Sequence, residues 1–161
     1  MSEKTFSSSP IRILLIEDDV AYSQLIGGIL AQEKEPPFSL ENITSLSAGL
    51  ERLARGGVDV VVTDLSLSDS NGIGTFAQVR ARSPSVPIVV LTGLADEALA
   101  VDALRQGAQD YLIKGSVDSR SLVRAIRYAI ERHPRFFPHR GPKTEARSFG
   151  FRSAHHAWTC E

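Results

Sequence analysis

Five short apolar runs alternate along the chain with stretches whose apolar residues return at helical spacing. The runs are Ile11–Ile16, Phe38–Ile43, Val58–Thr63, Pro87–Thr92 and Gln109–Ile113. Three of them contain the segments ILLI, VDVVV and IVVL, which are almost continuously apolar and β-branched. That composition suits strands covered on both faces, as in a parallel sheet flanked by helices. Between the runs, Tyr22, Leu25, Ile26, Ile29 and Leu30 line one predicted helix face, and Leu46, Leu50 and Leu53 a second. Ile73, Phe76 and Val79 line a third, Ala98, Val101 and Leu104 a fourth, and Leu122, Val123, Ile126, Ala129 and Ile130 a fifth. Stop signals stand at Gly56-Gly57, Ser83-Pro84, Gly107 and His133-Pro134. Five strand–helix units predict a doubly wound α/β fold, with a five-stranded parallel sheet and right-handed crossovers. In such a sheet the functional site lies beyond the carboxyl ends of the strands.

Composition narrows the class. The 161 residues are 42% hydrophobic and 23% charged, enough for one globular domain of ordinary size. The single cysteine, Cys160, excludes an internal disulfide framework. No apolar run approaches the roughly 20 residues of a membrane helix, and the polar start lacks the apolar core of a secretory signal. A cytoplasmic location away from the membrane is expected. The net charge of −1 hides an asymmetry: residues 1–132 hold 13 basic and 17 acidic side chains, whereas 133–161 hold five and two. The main domain therefore has no basic field for nucleic acid, and direct DNA binding is not expected. Residues 1–9 read as a flexible leader and 10–132 as the domain. Residues 133–161 read as a basic tail carrying Phe136, Phe137, Phe149, Phe151 and Trp158. That tail is too short for an output domain of its own and reads as a linker or docking segment.

Chemistry gathers at the predicted strand ends. Glu17, Asp18 and Asp19 follow the first strand, Asp64 ends the third, Thr92-Gly93 the fourth and Lys114-Gly115 the fifth, with Tyr111 nearby. Carboxylates crowded at one edge repel one another unless a cation joins them. A hard, oxygen-seeking divalent ion fits, with Mg²⁺ the expected one. Carboxylate, metal, ammonium and hydroxyl together suit the handling of a phosphoryl group. Taken singly, each residue has an ordinary explanation, and Asp19 or Asp69 reads equally well as a helix N-cap.

The segments IRILLIEDD, VVVTDLSLSDSNG, PIVVLTG and AQDYLIKG resemble the receiver domain of bacterial two-component response regulators. The resemblance covers about residues 10–132 and implies the flavodoxin-like strand order 2-1-3-4-5. It implies that Asp64 is the phosphoacceptor, served by a sensor histidine kinase or phosphotransfer protein. It also implies Mg²⁺ held by Asp18, Asp64, the backbone carbonyl of Ser66 and, through water, Glu17. Thr92 matches the switch hydroxyl, with Gly93 beside it, Tyr111 matches the aromatic switch and Lys114 the phosphoryl-binding lysine. The signal would pass to a downstream effector by repacking of the fourth helix, fifth strand and fifth helix. Gly115 stands where many members have proline, Ser68 where proline is frequent, and Asn71-Gly72 where Asp-Gly is commoner.

Two other classes share parts of this pattern. An Mg²⁺-dependent aspartyl-phosphate phosphohydrolase needs a second Asp two residues after its nucleophile, where this chain has Ser66. A flavin-binding module needs a phosphate loop after the first strand, where Glu17, Asp18 and Asp19 would repel the phosphate. The chain is therefore read as a signalling switch that catalyses only its own phosphorylation and dephosphorylation. Arg120, Arg124 and Arg127 share a face of the fifth helix, and Asp96, Glu97 and Asp102 lie near the fourth. These charges suit either a solvated face or a homodimer through that region.

Overall fold

The computed structural model describes residues 9–35 and 37–133. Most of the expected leader, and the tail beyond His133, lie outside these residues. Five strands, β1 (Ile11–Ile16), β2 (Phe38–Ile43), β3 (Val60–Asp64), β4 (Ile88–Thr92) and β5 (Asp110–Ile113), alternate with five helices. The helices are α1 (Val20–Ala31), α2 (Leu46–Ala54), α3 (Ile73–Arg82), α4 (Glu97–Arg105) and α5 (Ser119–Arg132). The strands form one parallel sheet in the order β2-β1-β3-β4-β5. The three continuously apolar runs are its three central strands. The edge strands β2 and β5 are only half-covered along their length.

Alternation along the central strands divides the core in two. Ile13 and Leu15 of β1, Val60 and Val62 of β3, and Val89 and Leu91 of β4 face α1 and α5. Their neighbours Leu14, Ile16, Val61, Ile88 and Val90 face α2, α3 and α4, where Phe76 and Val79 are fully buried. Each central strand therefore loses water on both faces, which is why its sequence shows no polar alternation.

Two predicted helix faces need correction. Leu25 was expected to face the core but is 51% exposed, because the buried stripe of α1 runs through Ser23, Ile26 and Leu30. Ser23 is tolerated there because its hydroxyl donates to the Val20 carbonyl at 3.0 Å. In α4, Ala98 and Val101 face solvent while Ala100 and Ala103 are buried, with Leu99 and Leu104 partly so. Alanines at 95, 98, 100 and 103 offer several helical phases of similar apolarity. The packing therefore selects the phase in which small residues approach the sheet.

Two helical glycines test how tight this packing is. A Cβ on Gly28 in α1 would meet nothing within 4 Å, whereas one on Gly49 in α2 would lie 2.7 Å from Cδ1 of the fully buried Ile16. Ala is favoured over Gly in a helix by about 1 kcal/mol, while overpacking a core costs about 1–3 kcal/mol. Gly28→Ala should raise the urea midpoint and Gly49→Ala should lower it. Equal shifts of the same sign would show that the α2–β1 contact is slack.

Candidate functional site

The carboxyl edge of the central strands carries the chemistry. Glu17 follows β1 and prolongs its pairing with β2, its N–H donating to the Ile43 carbonyl at 2.9 Å. Its side chain is fully buried, and Oε1 accepts from the Asp19 N–H at 3.0 Å. Asp18 is half-buried beside it. Asp64 is the last residue of β3 and is 4% exposed, with Oδ1 accepting from the Ser66 N–H at 2.9 Å. Lys114 follows β5, two strands from β3, a separation of about 10 Å at ordinary strand spacing. Its long stem crosses the end of β4 and sets Nζ 2.6 Å from Asp64 Oδ2 and 2.7 Å from Glu17 Oε2. The ammonium also lies 4.9 Å from the centroid of the Tyr22 ring, a cation–π contact.

Oxygens of Glu17, Asp18 and Asp64 all come within 4.8 Å of one another. One ammonium, paired with Glu17 and Asp64, stands beside this cluster of three. Burial pushes the Glu17 carboxyl up from its ordinary range, and Lys114 and the Asp19 N–H only partly pull it back. Burial alone would lower the Lys114 pKa, but its contacts with Asp64 and Glu17 together outweigh that and leave it raised. Burial likewise raises the Tyr22 phenol. The Lys114 ammonium, 2.7 Å from the buried Glu17 Oε2, is the charged group that faces this oxygen. Three carboxylates clustered this closely, with one ammonium between two of them, fit a hard divalent cation.

Thr92 and Tyr111 form a second group, separate from the first. Thr92 ends β4 and is 1% exposed. Its hydroxyl is turned toward the carbonyls of Gly93 and Asp96, at 3.3 and 3.2 Å. Tyr111, in β5, donates its phenol to Glu97 Oε1 at 3.2 Å, and that bond raises its pKa. Among the described residues, no hydrogen bond joins Thr92 or Tyr111 to Asp64.

The sequence does not single out Asn42 or Tyr22, nor which helix Asp69 caps. Asn42 donates to the carbonyls of Leu15 and Glu17, both at 3.3 Å, and so fixes the turn that presents Glu17. Nothing in its edge-strand position announces that. Helical spacing marks Tyr22 only as part of a helix face, although one turn after an N-cap is where α1 can present a ring to the site. Asp19 does cap α1, accepting from the Tyr22 N–H at 3.1 Å. Asp69 caps a helix too, but one distant in sequence: its carboxylate accepts from the N–H groups of Leu46 and Ser47 at the start of α2. In α5, Arg127 is engaged within its own chain, donating to the Glu35 carbonyl at 3.0 Å and lying 3.7 Å from Glu33.

The chain has relatives along most of this length. A family model described as the response regulator receiver domain matches residues 13–127. The transcriptional regulatory protein GlrR of Escherichia coli (strain K12) is 34% identical over 125 residues, covering 78% of this chain and 27% of that protein. The photosynthetic apparatus regulatory protein RegA of Rhodobacter capsulatus is 35% identical over 128 residues, covering 78% and 67%. Among solved structures, the signal receiver domain of an HD domain-containing protein from Pseudomonas fluorescens Pf-5 superposes with a TM-score of 0.68 at 27% identity. That match covers 78% of this chain and 90% of the other. The chain spans about a quarter to a third of the length of the first curated relatives it matches.

The ammonium's role can be tested without any phosphodonor. Because the folded Glu17 carboxyl holds its proton to higher pH than an unfolded one, its charge increasingly opposes folding as pH rises through the carboxylate range. Lys114 offsets that charge. Lys114→Met should therefore destabilise the chelator-treated protein by about 3 kcal/mol near pH 7, the scale for breaking a buried ion pair, and by much less near pH 4. Urea unfolding at the two pH values measures this. A loss independent of pH would show that the lysine contributes packing and not charge.

Proposed function

As the chain belongs to the response regulator receiver domain family, we propose that it is a phosphorylation-controlled signalling switch with Asp64 as its phosphoacceptor. The observation that carries this reading is the state of the Asp64 carboxylate. It is buried at a strand end, held at one oxygen by the Ser66 N–H and at the other by Lys114, and set beside Glu17 and Asp18. Such a carboxylate is fixed in direction, as a nucleophile requires.

In the proposed transfer, an Asp64 oxygen forms a bond to phosphorus as the P–N bond of a sensor kinase or phosphotransfer-protein phosphohistidine breaks. The imidazole leaves with the electron pair. A small phosphodonor would serve in the same way. Glu17, Asp18, Asp64 and the Ser66 carbonyl would hold Mg²⁺, which when bound supplies positive charge for the crowded oxygens. Lys114, now on Asp64 Oδ2, is placed to take up a phosphoryl oxygen instead. The Thr92 hydroxyl would exchange its carbonyl partners on the Gly93–Asp96 turn for another phosphoryl oxygen. That exchange frees the start of α4, and Tyr111 can then leave Glu97 for the space vacated. Phosphorylation acts only as far as it binds the rearranged packing better than the present one.

The proposed receiver unit spans residues 10–132. Its output passes through the α4–β5–α5 face to a downstream effector, with the 133–161 tail as linker or docking segment. A second copy could use the same face, through Arg120 and Arg124. The activity is confined to the chain's own phosphoryl group, and the proposed location is cytoplasmic. For the membrane, the structure offers only that none of the described helices is long and apolar enough to cross one.

Two variants test the assignment. Incubation with acetyl phosphate and Mg²⁺ should add the mass of one phosphoryl group to the intact protein, and Asp64→Asn should abolish the gain. Stoichiometric modification of Asp64→Asn by the same donor would refute the assignment. Thr92→Ala should still accept the phosphoryl group but lose the phosphorylation-dependent shift of the Tyr111 NMR signals. An unaltered Tyr111 shift in that variant would mean that the hydroxyl does not carry the signal.

A further inference from the structure

The loop between β3 and α3 carries Ser66, and both buried side chains and hydrogen bonds fasten it. Leu65 and Leu67 are buried in the core between the sheet and α2–α4. Within the loop, the Leu67 N–H donates to the Ser70 carbonyl, and the Gly72 N–H to the Leu65 carbonyl, both at 2.8 Å. Ser66 pairs with Asn71 in an isolated antiparallel bridge, and Gly72 takes a φ of +83° that closes the turn. The Ser70 and Thr75 hydroxyls meet at 2.7 Å. These bonds shape the loop but leave its tip tied only to itself and to α3.

Asp69 supplies the tie to the rest of the molecule. One of its carboxylate oxygens accepts from the Leu46 N–H at 2.9 Å and the other from the Ser47 N–H at 3.0 Å, across more than 20 residues of sequence. The third amide of that helical turn, Ala48, is already served by the helix's own cap, Ser45, at 3.2 Å. The turn leading into α2 continues from β2, where Asn42 and Ile43 hold the backbone of Glu17. A closed circuit results, from Glu17 through the end of β2, the start of α2, Asp69 and Ser66 to Asp64. The circuit joins β2, α2 and the loop after β3, whereas Lys114 comes from the end of β5 at the other edge of the sheet.

We propose that Asp69 is a positioning residue for the metal and phosphoryl site, strapping the loop after β3 to the N-terminus of α2 and so holding the Ser66 backbone against Asp64. The proposal rests on the receiver reading for what the site binds, but the strap can be tested with no ligand at all. A carboxylate suits the task because it accepts two amide hydrogens at once, at a helix end that favours negative charge. Ser45 caps the same turn without touching the loop, which makes it the control for a loss of α2 stability alone.

The experiment compares the full-length wild type with Asp69→Ala, Asp69→Asn and Ser45→Ala. Amide hydrogen exchange at Ser66 is followed in chelator, and Mg²⁺ affinity by NMR titration. Asp69→Ala should lose Ser66 protection and bind Mg²⁺ about tenfold more weakly, in the range found when residues that orient metal ligands are removed. Asp69→Asn, which keeps one acceptor oxygen, should fall between. Ser45→Ala should lower the melting temperature while leaving both site readings at wild-type values. Wild-type readings for Asp69→Ala, or equal losses in Ser45→Ala, would overturn the proposal. If the wild type itself binds no Mg²⁺, the metal assignment falls, and Ser66 exchange alone then decides whether the strap exists.

Discussion

Everything at this site depends on a charge imbalance held out of water. Glu17 and Asp64 are buried beside a half-buried Asp18, and a single ammonium reaches the two buried carboxylates from the far edge of the sheet. Neither carboxylate could be buried there alone, since an isolated charge in the interior costs several kcal/mol. Lys114 can serve both only because β5 follows β4 and β3 in the sheet, so that its stem crosses one strand and no more. Strand order, central-strand burial and the lysine's length are thus three conditions of one electrostatic arrangement. The arrangement is left short of positive charge, which suits it to a divalent cation and, on the proposed reading, to a phosphoryl group once that cation is bound.

The fold was largely legible from the sequence, and for a physical reason. Strands buried on both faces have no polar alternation, so β1, β3 and β4 declare both their existence and their central place. The edge strand β2 alternates, and its exposed residues could have belonged to a loop had they not stood between two helical patterns. Legibility fails where the pattern has no contrast. Alanines in α4 leave its phase to packing, and Leu25 sits beside the buried stripe of α1 without joining it.

The candidate site shows the same division. Acidic, hydroxyl and ammonium residues at successive strand ends can be found by position alone, because a parallel sheet brings all its carboxyl ends to one edge. What position cannot give is who orients whom. Asn42 acts through backbone carbonyls, Tyr22 through its ring face, and Asp69 through amides more than 20 residues away. None of these interactions leaves a periodic trace. The separation of Thr92 and Tyr111 from Asp64 is likewise a matter of side-chain rotation and not of sequence. On the proposed reading it describes the switch before phosphorylation, with its hydroxyl and phenol both committed to the start of α4.

On the proposed reading the Asp64 carboxylate, and no other, receives the phosphoryl group. Reductive trapping addresses it at the level of the residue. Borohydride converts an aspartyl phosphate to homoserine, and peptide mass spectrometry then locates the change. Homoserine is expected at position 64 alone, formed after treatment with acetyl phosphate and Mg²⁺ and absent when chelator replaces the metal. Homoserine at another acidic residue, or at position 64 regardless of metal, would contradict it.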